Sequence, residues 1–336
     1  MKNAALEIMM IWIALAAANS APKTAAARFR KLSPHFFCLE SGVELPNTGA
    51  IVTEEGVLLI DPPPEAQSAT MLSALRAVTS RPVRWVVITD FQKTGGAAVI
   101  AKQGAAWIDS RELDRLAIAA AASDPNPAAP SVPASRFVFG SQLHLFPAGV
   151  EIRLMAVKGR ARTAGDLVVF LPSEKILAVG DLYTPGSYPA IDIGPGEGTA
   201  LGWIDGLKEV IESVPLLKSA MPQPKPDPAA ALEPEKTLEE SVIVVPGRGK
   251  PSDLQQMKDL LASAQRLRLD AARAVATGRS SESFVNSLAV TSFGAYINYE
   301  AFASLLYEEL SNKKHGPCAA APASRYRSAR SQSSSL

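Results

Sequence analysis

Val83-Arg84-Trp85-Val86-Val87-Ile88-Thr89-Asp90-Phe91-Gln92-Lys93-Thr94-Gly95-Gly96 changes character at Thr89. Before that point the β-branched density is that of a buried strand, and after it short polar residues lead to a glycine pair where a helix begins. Immediately upstream, Met71, Leu72, Leu75 and Val78 recur at helical spacing. Gly56-Val57-Leu58-Leu59-Ile60 is a further strand, and it must stop at Asp61 because Pro62, Pro63 and Pro64 have no N–H to give to a ladder. Strand, turn, helix, strand in that order is the unit of an α/β domain. Two more short strands precede it, at Phe36-Phe37-Cys38-Leu39 and Gly49-Ala50-Ile51-Val52.

Downstream, a strand begins at Ala105-Ala106-Trp107-Ile108, and residues 123–135 form a proline-rich loop. Strand patterns recur at 137–139, 150–154, 167–171 and 176–179, ahead of a Gly-Pro loop at 185–198. Trp203, Leu207, Val210, Ile211 and Val214 then mark a helix with one face on the core. A proline-rich insertion at about 220–236 separates it from the strand Val242-Ile243-Val244-Val245. Ser252 or Asp253 can cap the next helix, whose apolar stripe runs through Leu254, Met257, Leu260, Leu261 and Leu267 to a stop at Gly278. The segment 313–336 is rich in Ala, Ser and Arg and is predicted to be a disordered tail.

The chain has 336 residues, 47% of them hydrophobic, enough to bury the core of one large α/β domain. Its net charge is +1 and its Lys and Arg are scattered, which argues against nucleic acid as a partner and leaves small molecules or proteins. Lys2, an apolar run over 8–18 and the small residues Ala16-Ala17-Ala18-Asn19-Ser20-Ala21 have the order of a secretory signal, here assigned to residues 1–21. The run falls short of the roughly 20 residues that span a bilayer. Export to the periplasm or the medium is therefore expected, with no membrane association beyond the signal; retention of the segment as an anchor is the alternative. Cys38 and Cys318 are isolated and form neither a disulfide framework nor a metal cluster.

Four segments, taken in order, resemble the metallo-β-lactamase superfamily. Asn47-Thr48-Gly49-Ala50-Ile51-Val52 through Asp61 is similar to its opening hairpin and strand-terminal aspartate. Thr89 to Gly96 stands where that family has T-H-x-H-x-D-H-x-G-G, two residues longer. Arg162-Thr163-Ala164-Gly165-Asp166 with Gly180-Asp181-Leu182 is similar to its H-T-x-G-D and G-D-L elements, and Val244-Val245-Pro246-Gly247-Arg248-Gly249 to v-P-G-H-G. The resemblance implies an α/β fold, the four-layer αββα sandwich, over residues 35–312. It also implies a hydrolase site in which histidines and aspartates hold one or two metal ions, usually zinc.

Those ligands are nearly all replaced here. Asp90, Gln92 and Lys93 occupy the first motif, with an ambiguous register between Asp90 and Thr94; Arg162 and Arg248 stand where two later histidines would be, and only Asp181 remains. A catalytic zinc takes about three protein ligands and an open position, which one carboxylate does not supply. His35, His144 and His315 lie outside the motifs. No metal or other cofactor is therefore expected, and Asp90, Gln92, Lys93, Arg162, Asp181 and Arg248 define a remnant pocket.

An unpaired Asp181 in such a pocket would be costly, and Arg162, Arg248 and Lys93 bring compensating charge unless they point to solvent. Several functions stay open on this reading. One is a non-catalytic binding or scaffold protein, a pseudoenzyme holding an anionic small molecule or a partner's carboxylate. Another is a hydrolase of an ester, lactam or thioester without the metal pair, with Asp90 or Asp181 as base and Arg162, Arg248 or Lys93 stabilising an oxyanion. A reorganised site in which Asp181, Asp90 and water hold one Mg or Ca ion is the third. No G-x-S-x-G elbow supports a nucleophilic serine.

Overall fold

The structure, a computed structural model, describes residues 27–40, 46–123, 135–194, 196–214, 242–288 and 292–315. The expected signal segment, nearly all of the 123–135 loop, the 220–236 insertion, Cys318 and the tail past residue 315 lie outside the described residues. None of the described helices is long and apolar enough to cross a membrane.

β1 (Phe29–Lys31), β2 (Phe36–Leu39), β3 (Thr48–Thr53) and β4 (Gly56–Ile60) form an antiparallel meander. The chain then alternates: α1 (Glu65–Arg76), β5 (Val83–Val87), α2 (Thr94–Lys102), β6 (Ala106–Ser110), α3 (Arg111–Ser123), β7 (Arg136–Phe139), with β4 to β7 parallel. β8 (Gln142–Leu145), β9 (Ile152–Ala156), β10 (Leu167–Leu171) and β11 (Ile176–Gly180) build a second, antiparallel sheet. After α4 (Ala200–Ser213), β12 (Ile243–Pro246) joins β11 in parallel, and the short β13 (Ser252–Asp253) precedes α5 (Leu254–Ala276), α6 (Ser281–Leu288) and α7 (Tyr299–His315). The sheets have seven strands in the order β1-β2-β3-β4-β5-β6-β7 and six in the order β13-β12-β11-β10-β9-β8.

Side-chain alternation explains why the two sheets stack. In β10, Leu167, Val169 and Leu171 join the core shared with the first sheet, whereas Val168 and Phe170 face the core built with α4, α5 and α7. β11 repeats this with Ile176 and Ala178 on one side and Leu177 and Val179 on the other. A strand covered on both faces must be apolar at every position, which is why these runs carry no polar alternation. On the outer face of the first sheet, α1 and α2 contribute Met71, Leu75, Ala97 and Ile100. The architecture is the αββα sandwich. Asp253 is the residue that caps α5, its Oδ1 accepting from the Gln256 N–H at 2.8 Å.

β1, α3, α6 and α7 are elements the sequence pattern did not single out. β1 also places His35 between two strands rather than ahead of the first one, with its Nδ1 2.5 Å from Glu174 Oε1 on the β10–β11 turn. Cys38 is a buried thiol packed as a small apolar residue in the inter-sheet core.

Candidate functional site

The carboxyl ends of β4, β5, β11 and β12 converge, and the β9–β10 loop closes over them. Asp61, with φ +51°, turns the chain at the end of β4. Its buried carboxyl accepts from the Thr89 N–H at 2.7 Å and the Thr89 hydroxyl at 2.6 Å, tying β4 to the end of β5. In the β9–β10 loop Asp166 accepts from the Thr163 N–H at 2.8 Å and its hydroxyl at 2.7 Å. Gly180, at φ +55°, lets the end of β11 meet Thr89, because a Cβ there would lie 1.8 Å from the threonine hydroxyl. Asp61, Asp166 and Gly180 thus serve as pins that fix the geometry of the site.

On this frame sit six polar side chains. Asp90 caps a single 3₁₀ turn, Phe91–Lys93, by accepting from the Gln92 N–H at 2.8 Å. The turn directs Lys93 inward, where its Nζ donates to Asp181 Oδ2 at 3.1 Å. Gln92 is exposed, and its Oε1 accepts from Arg162 Nη2 at 2.7 Å. The same guanidinium lies 3.5 Å from Asp90 Oδ2 and 3.8 Å from Asp181 Oδ2. Arg248 approaches Asp181 Oδ2 from the other side, with Nε at 3.5 Å. Lys93, Arg162 and Arg248 therefore face one carboxylate oxygen. The side chains of Lys93, Arg162 and Asp181 are almost fully buried, and that of Arg248 is 34% exposed.

This electrostatic arrangement locks the charges. Burial pushes the Asp181 carboxyl up, but Lys93, Arg162 and Arg248 outweigh it and hold it below the usual carboxylate range. Burial likewise works against the Lys93 ammonium, and Asp90, Asp61 and Asp181 more than compensate, raising its pKa. Arg162 is raised in the same way by Asp90 and Asp181 against its burial. A carboxylate so held is a weak base near neutral pH, since proton transfer is most effective when the pKa matches the working pH.

The metal that the fold implies does not fit these residues. Lys93, Arg162 and Arg248 lie 3.1, 3.8 and 3.5 Å from Asp181 Oδ2, and a metal ion bound there would meet their like charge. Among the described residues no group of three or more His, Cys, Asp or Glu side chains is placed to hold a metal. His144 lies on the edge strand β8, away from the site, and α7 ends at His315.

Beside Asp181 is a cavity of about 360 Å³, lined also by residues 184–185, 187–190 and 297–298. Lys250 at its rim lies two positions beyond Arg248 and shares its loop, so proximity in sequence could have revealed it. Ile297 and Asn298 carry no such signal.

Three buried acids set the pH dependence of stability. Burial pushes Asp61, Asp109 and Asp166 each up to about 7. Their folded forms keep protons that the unfolded chain releases near pH ~4, so this contribution is complete below about pH 4 and is lost as pH rises through about 7. Asp181, with its folded pKa lowered, acts oppositely: its contribution is present above pH ~4 and lost as pH falls below that. Counting only about 1 kcal/mol for each of the three raised groups, the melting temperature is expected to be roughly 5–10 °C higher at pH ~5 than at pH ~8. Calorimetry across that range checks this, and a higher melting temperature at the alkaline end would contradict it.

No protein-family model matches the sequence, and no curated protein matches it. Solved structures do resemble it. The metallo-β-lactamase DIM-1 matches over 71% of this chain and 97% of its own, with 18% identity and a TM-score of 0.53. A metallo-β-lactamase from Pontibacter korlensis covers 71% of this chain and 99% of its own at 18% identity and a TM-score of 0.54. The stereoselective inverting sec-alkylsulfatase Pisa1 from Pseudomonas sp. covers 84% of this chain, which spans 50% of that enzyme, at 12% identity and a TM-score of 0.60. Identities this low establish the fold and nothing finer.

Proposed function

We propose that this chain, which has the metallo-β-lactamase fold, is an exported, non-catalytic binding protein that holds an anionic small molecule, or a partner's carboxylate, in the cationic pocket around Asp181. The observation that carries this reading is the convergence of Lys93, Arg162 and Arg248 on Asp181 Oδ2. Side-chain charge stands where the fold would otherwise place metal charge. Lys93, Arg162 and Arg248 all lie within ion-pair distance of Asp181 Oδ2, and Lys250 lines the same cavity.

A metal-free hydrolase is less well supported because, among the described residues, the carboxyl groups of the site are already engaged. Asp181 is held ionised by three cations, Asp90 Oδ1 is engaged by the Gln92 N–H while its Oδ2 faces Arg162, and both oxygens of Asp61 are bound to Thr89. The single-ion alternative through Asp181 and Asp90 meets the same crowding by cationic groups.

Titration calorimetry with sodium sulfate and sodium acetate at low ionic strength tests the proposal. Binding is expected that weakens as sodium chloride is added and that drops about tenfold in Arg248→Gln, in keeping with loss of a charge-assisted contact. No binding of either anion, or turnover of an ester or lactam abolished by a chelator, would overturn it. The exported location rests on residues 1–21 alone, and N-terminal sequencing of protein recovered outside the cytoplasm should show their removal.

A further inference from the structure

Asp109 is a buried carboxyl that the site around Asp181 does not use. It lies near the end of β6 and is 0% exposed. Its Oδ1 accepts from the Trp107 indole N–H on the same strand, and among the described residues no donor reaches Oδ2. Two charged groups act on it, Asp114 from α3 and Arg136 from β7. Among the described residues β5 and α2, which also pack on β6, bring none.

This cluster is short of one cation. Arg136 Nε lies 3.0 Å from Asp114 Oδ1, so that guanidinium is already matched. With Asp109 protonated the three groups are neutral together. With Asp109 ionised they carry a second carboxylate charge, held out of water and without a partner, and a fold tolerates such a charge only at high cost. Burial accordingly pushes the Asp109 carboxyl up to about 7 against the Trp107 hydrogen bond, with Asp114 adding to the rise and Arg136 opposing it.

β7 is the element best placed to relieve that charge. It is the outermost strand of its sheet, paired with β6 alone from Trp107–Arg136 to Ser110–Phe139, and Asp109 stands directly opposite Val138. Phe137 and Val138 are exposed, so little apolar burial holds the strand down. From this arrangement we infer that Asp109 is a proton-operated catch on β7: protonated, it lets the strand lie closed on β6, and on losing its proton it releases the strand so that water reaches the carboxylate. An opened edge returns the carboxyl to its ordinary range near pH ~4. Opening therefore becomes easier by up to about tenfold per pH unit between about 4 and 7, and levels off above that. The catch works in the same way whether or not the pocket at Asp181 binds an anion.

Hydrogen exchange on the full chain tests it, expressed as protection factors so that the intrinsic pH dependence of exchange is divided out. β10 in the other sheet serves as the internal reference for global unfolding. From pH ~5 to pH ~8 the protection of β7 is expected to fall about tenfold or more relative to β10. Asp109→Asn keeps an acceptor for Trp107 but has no proton to lose, and should remove the fall. Asp114→Asn, at a less buried position, leaves Arg136 free to balance Asp109 and should shrink the fall. Relative protection of β7 that stays level across this range in the parent, or a fall that persists undiminished in either variant, overturns the inference.

Discussion

Replacing Lys93 by methionine is expected to destabilise the fold by about 3 kcal/mol, the lower end of what breaking one side of a buried ion pair costs. Methionine fills nearly the same space, so the loss reports charge rather than volume. In the intact protein the ammonium donates to Asp181 Oδ2 at 3.1 Å with both side chains 5% exposed. Without it, Asp181 keeps only the guanidinium groups of Arg162 at 3.8 Å and Arg248 at 3.5 Å, neither close enough to replace that contact. Those two arginines are why the lower end is expected. Urea denaturation should show a reduced midpoint at unchanged slope. Lys93→Met combined with Asp181→Leu should recover part of the loss, since an apolar pair in place of a buried ion pair is often close to neutral. A loss under about 0.5 kcal/mol, the size typical of a solvated pair, would mean that the contact is not the buried one described here.

Gly247→Ala is expected to cost about 3 kcal/mol and to abolish anion binding together with it. A Cβ at this position would lie 2.1 Å from Asp181 Oδ1 and 2.5 Å from the Asp181 backbone nitrogen. Neither strand end can withdraw: the Gly247 N–H donates to the Gly180 carbonyl at 2.6 Å, and the Gly247 carbonyl accepts from the Asn47 N–H at 2.6 Å. Relief must therefore come from Asp181 itself, whose movement pulls it from Lys93 and Arg248. A thermal melt and a sulfate titration on the same sample check both parts. A variant with the parent's melting temperature and affinity would contradict the close approach of β11 and β12.

The fold was legible where physics leaves few choices. The apolar runs that became β10 and β11 are buried on both faces, the three prolines after Asp61 end β4, and Asp253 caps α5. Elements that depend on tertiary packing were not legible. β1 is three residues with two of them exposed, and α3 opens with the polar mix Arg111, Glu112, Asp114 and Arg115, which reads equally as a surface loop. The site followed a similar division. Asp181, Arg162 and Arg248 were singled out through the resemblance of their flanking glycines and aspartates; in the segment after Thr89, whose register the sequence leaves open, the 3₁₀ turn sends Gln92 outward and Lys93 inward. Ile297 and Asn298 were not legible because tertiary hydrogen bonds bring them to the cavity: the Tyr188 N–H donates to the Ile297 carbonyl and Asn298 Nδ2 to the Pro189 carbonyl.

Cationic side chains are proposed to hold the place that a metal ion would take. X-ray diffraction at the zinc absorption edge, on crystals grown with excess zinc, tests this most directly. It should show no anomalous peak at Asp181 and Lys93 Nζ in hydrogen-bonding contact with its Oδ2. An anomalous peak within about 2.2 Å of an Asp181 carboxylate oxygen, the distance of a zinc–carboxylate bond, would contradict it.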